Sequence, residues 1–77
     1  MTREELRKEP GYIEAHQKIE NYKKGFKFTV NYNEMPAPKR RGMEFLLADC
    51  EKEGLIESRA IGINLSLERT DETFVRL

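Results

Sequence analysis

The stretch Phe26-Lys27-Phe28-Thr29-Val30-Asn31-Tyr32 decides the fold. Phe26, Phe28, Val30 and Tyr32 alternate with polar residues, the period-two pattern of a strand with one buried face. Asn33 to Pro38 follows as a turn, because the residues before Pro36 and Pro38 are pushed out of helical geometry. A strand that ends in a proline turn predicts a mixed chain rather than a bundle of helices.

Upstream, Thr2-Arg3-Glu4-Glu5 has capping-box spacing and predicts a helical turn or two toward Glu9, interrupted by Pro10-Gly11. From Tyr12, the apolar positions Tyr12, Ala15, Ile19 and Tyr22 recur at steps of three and four, one face of a helix that Gly25 is placed to cap. Downstream, Pro38 suits a first helical position. Met43, Leu46, Leu47 and Cys50 fall at i, i+3, i+4 and i+7 of a second helix, which Gly54 ends with Leu55 as its apolar contact. Ile61, Ile63, Leu65 and Leu67 predict a second strand with these residues inward. Glu68 to Glu72 reads as a hairpin loop, and Thr73 to Leu77 as the closing strand.

Three half-buried strands and two amphipathic helices pack most economically as a two-layer α+β sandwich. The expected fold is one domain over residues 1–77, with a three-stranded sheet, two helices on one face, and element order α-β-α-β-β. The third strand either inserts between the other two or lies at an edge.

Lys plus Arg and Asp plus Glu number 14 each, so no global field draws the chain to nucleic acid or an anionic surface. A single cysteine, Cys50, fits a reducing compartment. The N-terminus is charged and lacks an apolar run, so a cytoplasmic protein without a membrane partner is expected, as monomer or homodimer. The glycosylation-like triplet Asn64-Leu65-Ser66 is read as chance.

Catalytic and metal motifs are absent from the sequence. One His and one Cys do not make a metal site, and neither a cofactor nor catalytic residues are expected. His16 reads as a partly exposed helix residue. Cys50 reads as a small buried hydrophobe, with Asp49, Glu51 and Glu53 favouring its thiol form. Ser58 and Ser66 lack a nucleophile elbow, and no glycine-rich phosphate loop is present. A non-enzymatic role is expected.

The candidate binding site is Lys39-Arg40-Arg41-Gly42. Three cations occupy the first turn of the second helix, where its dipole disfavours them, and its end carries Asp49, Glu51 and Glu53, where the dipole prefers cations. Ala37 is a poor cap. Such a start, with free backbone donors and added cations, suits an anion or a carboxylate, unless the chain's own acids neutralise it. Gly42 suggests close approach of another element.

A second candidate is the sheet face turned away from the helices, expected to show Lys27, Thr29, Asn31, Ala60, Gly62, Asn64, Ser66, Phe74 and Arg76. Within it Lys27, Asn31, Asn64, Phe74 and Arg76 form a possible docking face, with Phe74 as a stacking platform for single-stranded nucleic acid. The size and make-up of the chain resemble the accessory and inhibitor proteins of bacteriophages and mobile elements, including anti-CRISPR proteins, in style and in no motif. That resemblance implies a regulator or inhibitor that occupies the surface of a larger protein, here one with an acidic patch. Met43 to Glu57 followed by a hairpin also resembles the last helix and wing of a winged-helix domain, which implies nucleic-acid binding as the alternative. It departs from that pattern at the strand and proline turn just upstream.

Overall fold

The computed structural model describes Thr2 to Leu77. Helices α1 (Arg3–Arg7) and α2 (Pro10–Glu20) lead into strand β1 (Lys27–Asn31) and a 3-10 turn (Tyr32–Glu34); helix α3 (Ala37–Lys52) and strands β2 (Ile56–Ile63) and β3 (Arg69–Arg76) complete the chain. β3 inserts between the others, in the order β1-β3-β2, and pairs antiparallel with both. The α+β architecture is as expected, with the first helical segment split in two at Pro10.

Local chemistry explains most boundaries. The Glu5 N–H donates to the Thr2 hydroxyl at 3.2 Å, so the cap works as its spacing implies. Pro10 opens α2. At the end of α3, Gly54 has φ +77°, its N–H reaches Glu51 O, and the Leu55 N–H reaches Cys50 O at 3.0 Å. A left-handed residue at that point favours glycine, and Leu55 turns back onto the core. Gly25 is not a helix cap: α2 stops at Glu20. Gly25 instead sits at φ +88° in the following turn, where its N–H donates to Arg76 O at 2.7 Å and extends the β1–β3 ladder.

The core gathers Ile19 from α2, Leu46, Leu47 and Cys50 from α3, Tyr32 from the turn, and Ile56 and Phe74 from the sheet. Each large aliphatic or aromatic side chain buried there contributes roughly 1.5–3 kcal/mol.

Two strand readings need correction. Phe74 pairs with Phe28 and is fully buried, so it and Arg76 lie on the helix side, while Asp71, Thr73 and Val75 share the outer face with Lys27, Thr29 and Asn31. Glu72 is the physical reason. It lies on the inner face at 4 % exposure because Tyr32 and Ser58 donate to its two oxygens at 2.9 and 2.7 Å, and Arg69 stands 3.5 Å away. With its lone pairs satisfied, a carboxylate occupies a core position that residue type alone assigns to a loop. Residues 69–72 are therefore strand.

The other correction concerns β2, which starts at Ile56 and ends at Ile63. Asn64 stops it: its Oδ1 accepts from the N–H groups of Ser66 and Glu68 at 2.9 and 3.0 Å. The alternation of Leu65 and Leu67 thus continues into a turn, and both leucines face solvent.

Candidate functional site

The basic run opens α3 as its sequence suggests. Pro36 occupies the cap position, no side chain caps the helix, and no acid lies in the first turn. Ala37 is the first helical residue rather than the cap, so the run sits one position deeper than expected.

The three cations have different surroundings. Arg40 faces Glu44 at 3.8 Å and Glu68 of the hairpin turn at 3.9 Å, so the chain's own acids compensate it. Lys39 and Arg41 are exposed and have no ion pair among the described residues.

Gly42 does not receive a neighbouring element. A Cβ added there meets nothing within 4 Å. Its missing side chain instead leaves an apolar cavity of about 250 Å³ between the helices, walled by Leu6, Tyr12, Ala15, Met43 and Leu46, with Lys39 and Glu9 as charged lining. Four residues of the expected site thus divide into a free pair, Lys39 and Arg41, a groove opened by Gly42, and a compensated Arg40.

The expected outer docking face is not assembled. Lys27 and Asn31 are exposed there, but Asn64 belongs to the hairpin turn. Arg76 points inward and donates to the carbonyls of Leu55, Leu77 and Glu20 at 3.2, 2.7 and 3.3 Å. Phe74 is enclosed beside Phe28, their ring centroids 5.6 Å apart, and is no stacking platform.

Two of the three acids at the end of α3, Asp49 and Glu53, are bound across to α1 and α2. Arg7 grips Asp49 with two parallel bonds of 3.0 and 3.1 Å, and the Tyr12 hydroxyl donates to Asp49 at 2.5 Å. The Arg7 guanidinium holds the Asp49 carboxyl below its ordinary range against the opposing effect of burial, with Tyr12 assisting. His16 lies with Nδ1 2.6 Å from Glu20 and Nε2 2.8 Å from Glu53, which suits an imidazolium donating from both nitrogens. Burial of the ring opposes that charge, but Glu53 and Glu20 outweigh it and raise the His16 pKa. These pairs fasten the helices to one another, a role nothing in the local sequence around Asp49 or Glu53 signals.

Cys50 is fully buried, and burial, followed by the charges of Glu53 and Asp49, pushes its thiol up to about 12. A thiol so held is inert at neutral pH. A second cavity, about 550 Å³, lies between α3 and the hairpin and holds Glu44, Glu51, Ser58, Arg69 and the carboxylate of Glu72. Because Tyr32, Ser58 and Arg69 already satisfy Glu72, this cluster reads as support for the core.

The feature that sequence reading missed is the hairpin end: Leu65 and Leu67 are almost wholly exposed, and Ile61 and Ile63 about half so. Asn64, a turn-former with serine two residues on, was the available signal. Among the described residues no helix is long and apolar enough to cross a membrane. Comparison with known protein families, curated proteins and solved structures finds no match for the chain.

Proposed function

We propose that the chain is a small non-enzymatic binding protein that regulates or inhibits a larger protein by occupying an acidic patch on its surface. The observation that carries this reading is Lys39, which has no ion pair among the described residues, beside the apolar groove at Gly42 and the uncapped start of α3, with the exposed Arg41 on the other side of the same helical turn. An apolar side chain of the partner fills the groove, a carboxylate beside it meets Lys39 and the free N–H groups of the first turn, and Arg41 takes a further carboxylate across the helix end. That combination of a buried apolar anchor and a charged rim is how compact interfaces concentrate their binding energy. A cytoplasmic accessory protein of a phage or mobile element, of the inhibitor type, is the setting this reading favours.

One observation favours nucleic acid as the second reading: α3 begins with cations and runs into a β-hairpin, as a recognition helix runs into a wing. Against it, the upstream segment is a strand and a 3-10 turn, and α3 carries Glu44 and Glu51 along its length. Affinity capture from a bacterial lysate tests the first reading, and a gel shift of labelled duplex and single strand tests the second. Capture of one specific protein, released by salt, with no shift at low salt, supports protein binding. A shift that weakens steeply with salt, without a captured protein, replaces it with nucleic-acid binding.

A further inference from the structure

Two glycines border the cavity between the helices. Gly11 of α2 and Gly42 of α3 both line it, and a Cβ added at either meets nothing within 4 Å. Neither has the left-handed backbone of Gly25 and Gly54, so no turn requires a glycine at these places. Within a helix alanine is favoured over glycine, and here it would also begin to fill the space. Two residue choices that weaken their helices thus converge on one cavity, which packing for stability alone would close.

The size and lining of the cavity select its occupant. Its volume of about 250 Å³ exceeds the ~150 Å³ that admits a benzene ring to an apolar cavity, and falls short of the ~300 Å³ at which drug-sized pockets begin. That is room for one branched or aromatic side chain. Leu6, Ala15, Met43 and Leu46 supply an apolar wall, and the flexible Met43 can adjust its shape. Tyr12 adds its ring, since its hydroxyl is committed to Asp49. The charged lining among the described residues is Glu9 and Lys39, one of each sign and both exposed. Neither forms an ion pair there, with the other or with a third group. Glu9 holds the cap position of α2, but its side chain makes no capping bond. An uncommitted carboxylate and an uncommitted ammonium therefore share the edge of one apolar cavity.

We infer that the cavity binds a free α-amino acid with a branched aliphatic, thioether or aromatic side chain. The side chain enters the apolar space beside Gly11 and Gly42, the ligand's carboxylate pairs with Lys39, and its ammonium pairs with Glu9. An internal residue of a peptide carries neither charge, and a fatty acid or a simple amine carries one. The free amino acid is the occupant that uses both groups. It takes the groove from a partner's side chain, and that consequence alone rests on the contact proposed above.

Titration of the isotope-labelled full chain with leucine, methionine and phenylalanine to about 10 mM, followed by its amide resonances, tests this. At least one should saturate, with its largest shifts at Gly11 and Gly42, while glycine, which lacks a side chain, leaves those resonances in place. Analogues of the tightest ligand without its ammonium or its carboxylate, for leucine isocaproate and isopentylamine, should bind at least about 10-fold more weakly. Gly42→Leu should abolish saturation, and a dispersed amide spectrum verifies that the variant is folded. Glu9→Gln, at an exposed position, serves if it is not, and should weaken binding about 10-fold. No saturable shift, the same shifts with glycine, an analogue that binds as tightly, or unchanged affinity in the variants overturns the inference. No partner enters this titration, so its failure leaves the acidic-partner reading standing, and failure of partner capture leaves the amino-acid site standing.

Discussion

Tyr32 and Glu72 meet inside the core, the phenol donating to a carboxylate oxygen at 2.9 Å although both residues are almost wholly buried. Burial, then the bond to Glu72 and its charge, push the Tyr32 pKa upward, so the phenol remains a donor at any ordinary pH. The contact ties the end of β1 to the central strand and fixes which face of β3 turns inward.

Tyr32→Phe removes one of the donors that allow Glu72 to be buried. The expected loss is about 1.5–3 kcal/mol of stability, the range for a hydrogen bond to a charged group. Urea unfolding of Tyr32→Phe, Glu72→Gln and the double variant checks it. The two losses should not add, because Tyr32→Phe removes the bond and Glu72→Gln removes the charge that strengthens it.

The cross-helix pairs give stability a two-sided pH dependence. The folded pKa of His16 is raised, so its contribution is complete below the unfolded value of about 6.5 and is lost as pH rises through the higher folded value. That of Asp49 is lowered, so its contribution is complete above the unfolded value of about 3.9 and is lost as pH falls through the lower folded one. Denaturation midpoints across pH should therefore fall at both ends. His16→Gln should flatten the alkaline limb and Asp49→Asn the acid limb, each leaving the other in place.

Gly42 gives a prediction of opposite sign for stability and for binding. A methyl group there meets no neighbour, and alanine is favoured over glycine within a helix by up to about 1 kcal/mol. Gly42→Ala should raise the thermal midpoint. Gly42→Leu, which fills the groove, should keep the fold and weaken partner binding. Equal binding by both variants and wild type would remove the groove from the interface.

The legible parts of the fold are those where one residue type serves one purpose. Met43, Leu46, Leu47 and Cys50 mark the buried face of α3 by spacing alone, and Phe28 and Val30 do the same for β1. Glu72 defeats that logic because its partners Tyr32 and Ser58 lie 40 and 14 residues away. Asp49 defeats it likewise, since its carboxylate belongs to Arg7, 42 residues earlier. Leu65 and Leu67 mislead in the other direction: they continue the rhythm of β2 after Asn64 has ended the strand. At the basic run, residue identity located the candidate site, but only packing separates the compensated Arg40 from Lys39 and Arg41.

That separation supplies the most direct test. The protein captured from a lysate is bound to immobilised wild type, Arg40→Gln, and the double variant Lys39→Gln/Arg41→Gln, and the three affinities are compared at two salt concentrations. Lys39→Gln/Arg41→Gln should bind at least about 10-fold more weakly at low salt, with a smaller salt dependence. Arg40→Gln should stay close to wild type. Wild-type affinity in the double variant, or a loss confined to Arg40→Gln, would contradict the assignment of this helix start as the contact with an acidic partner.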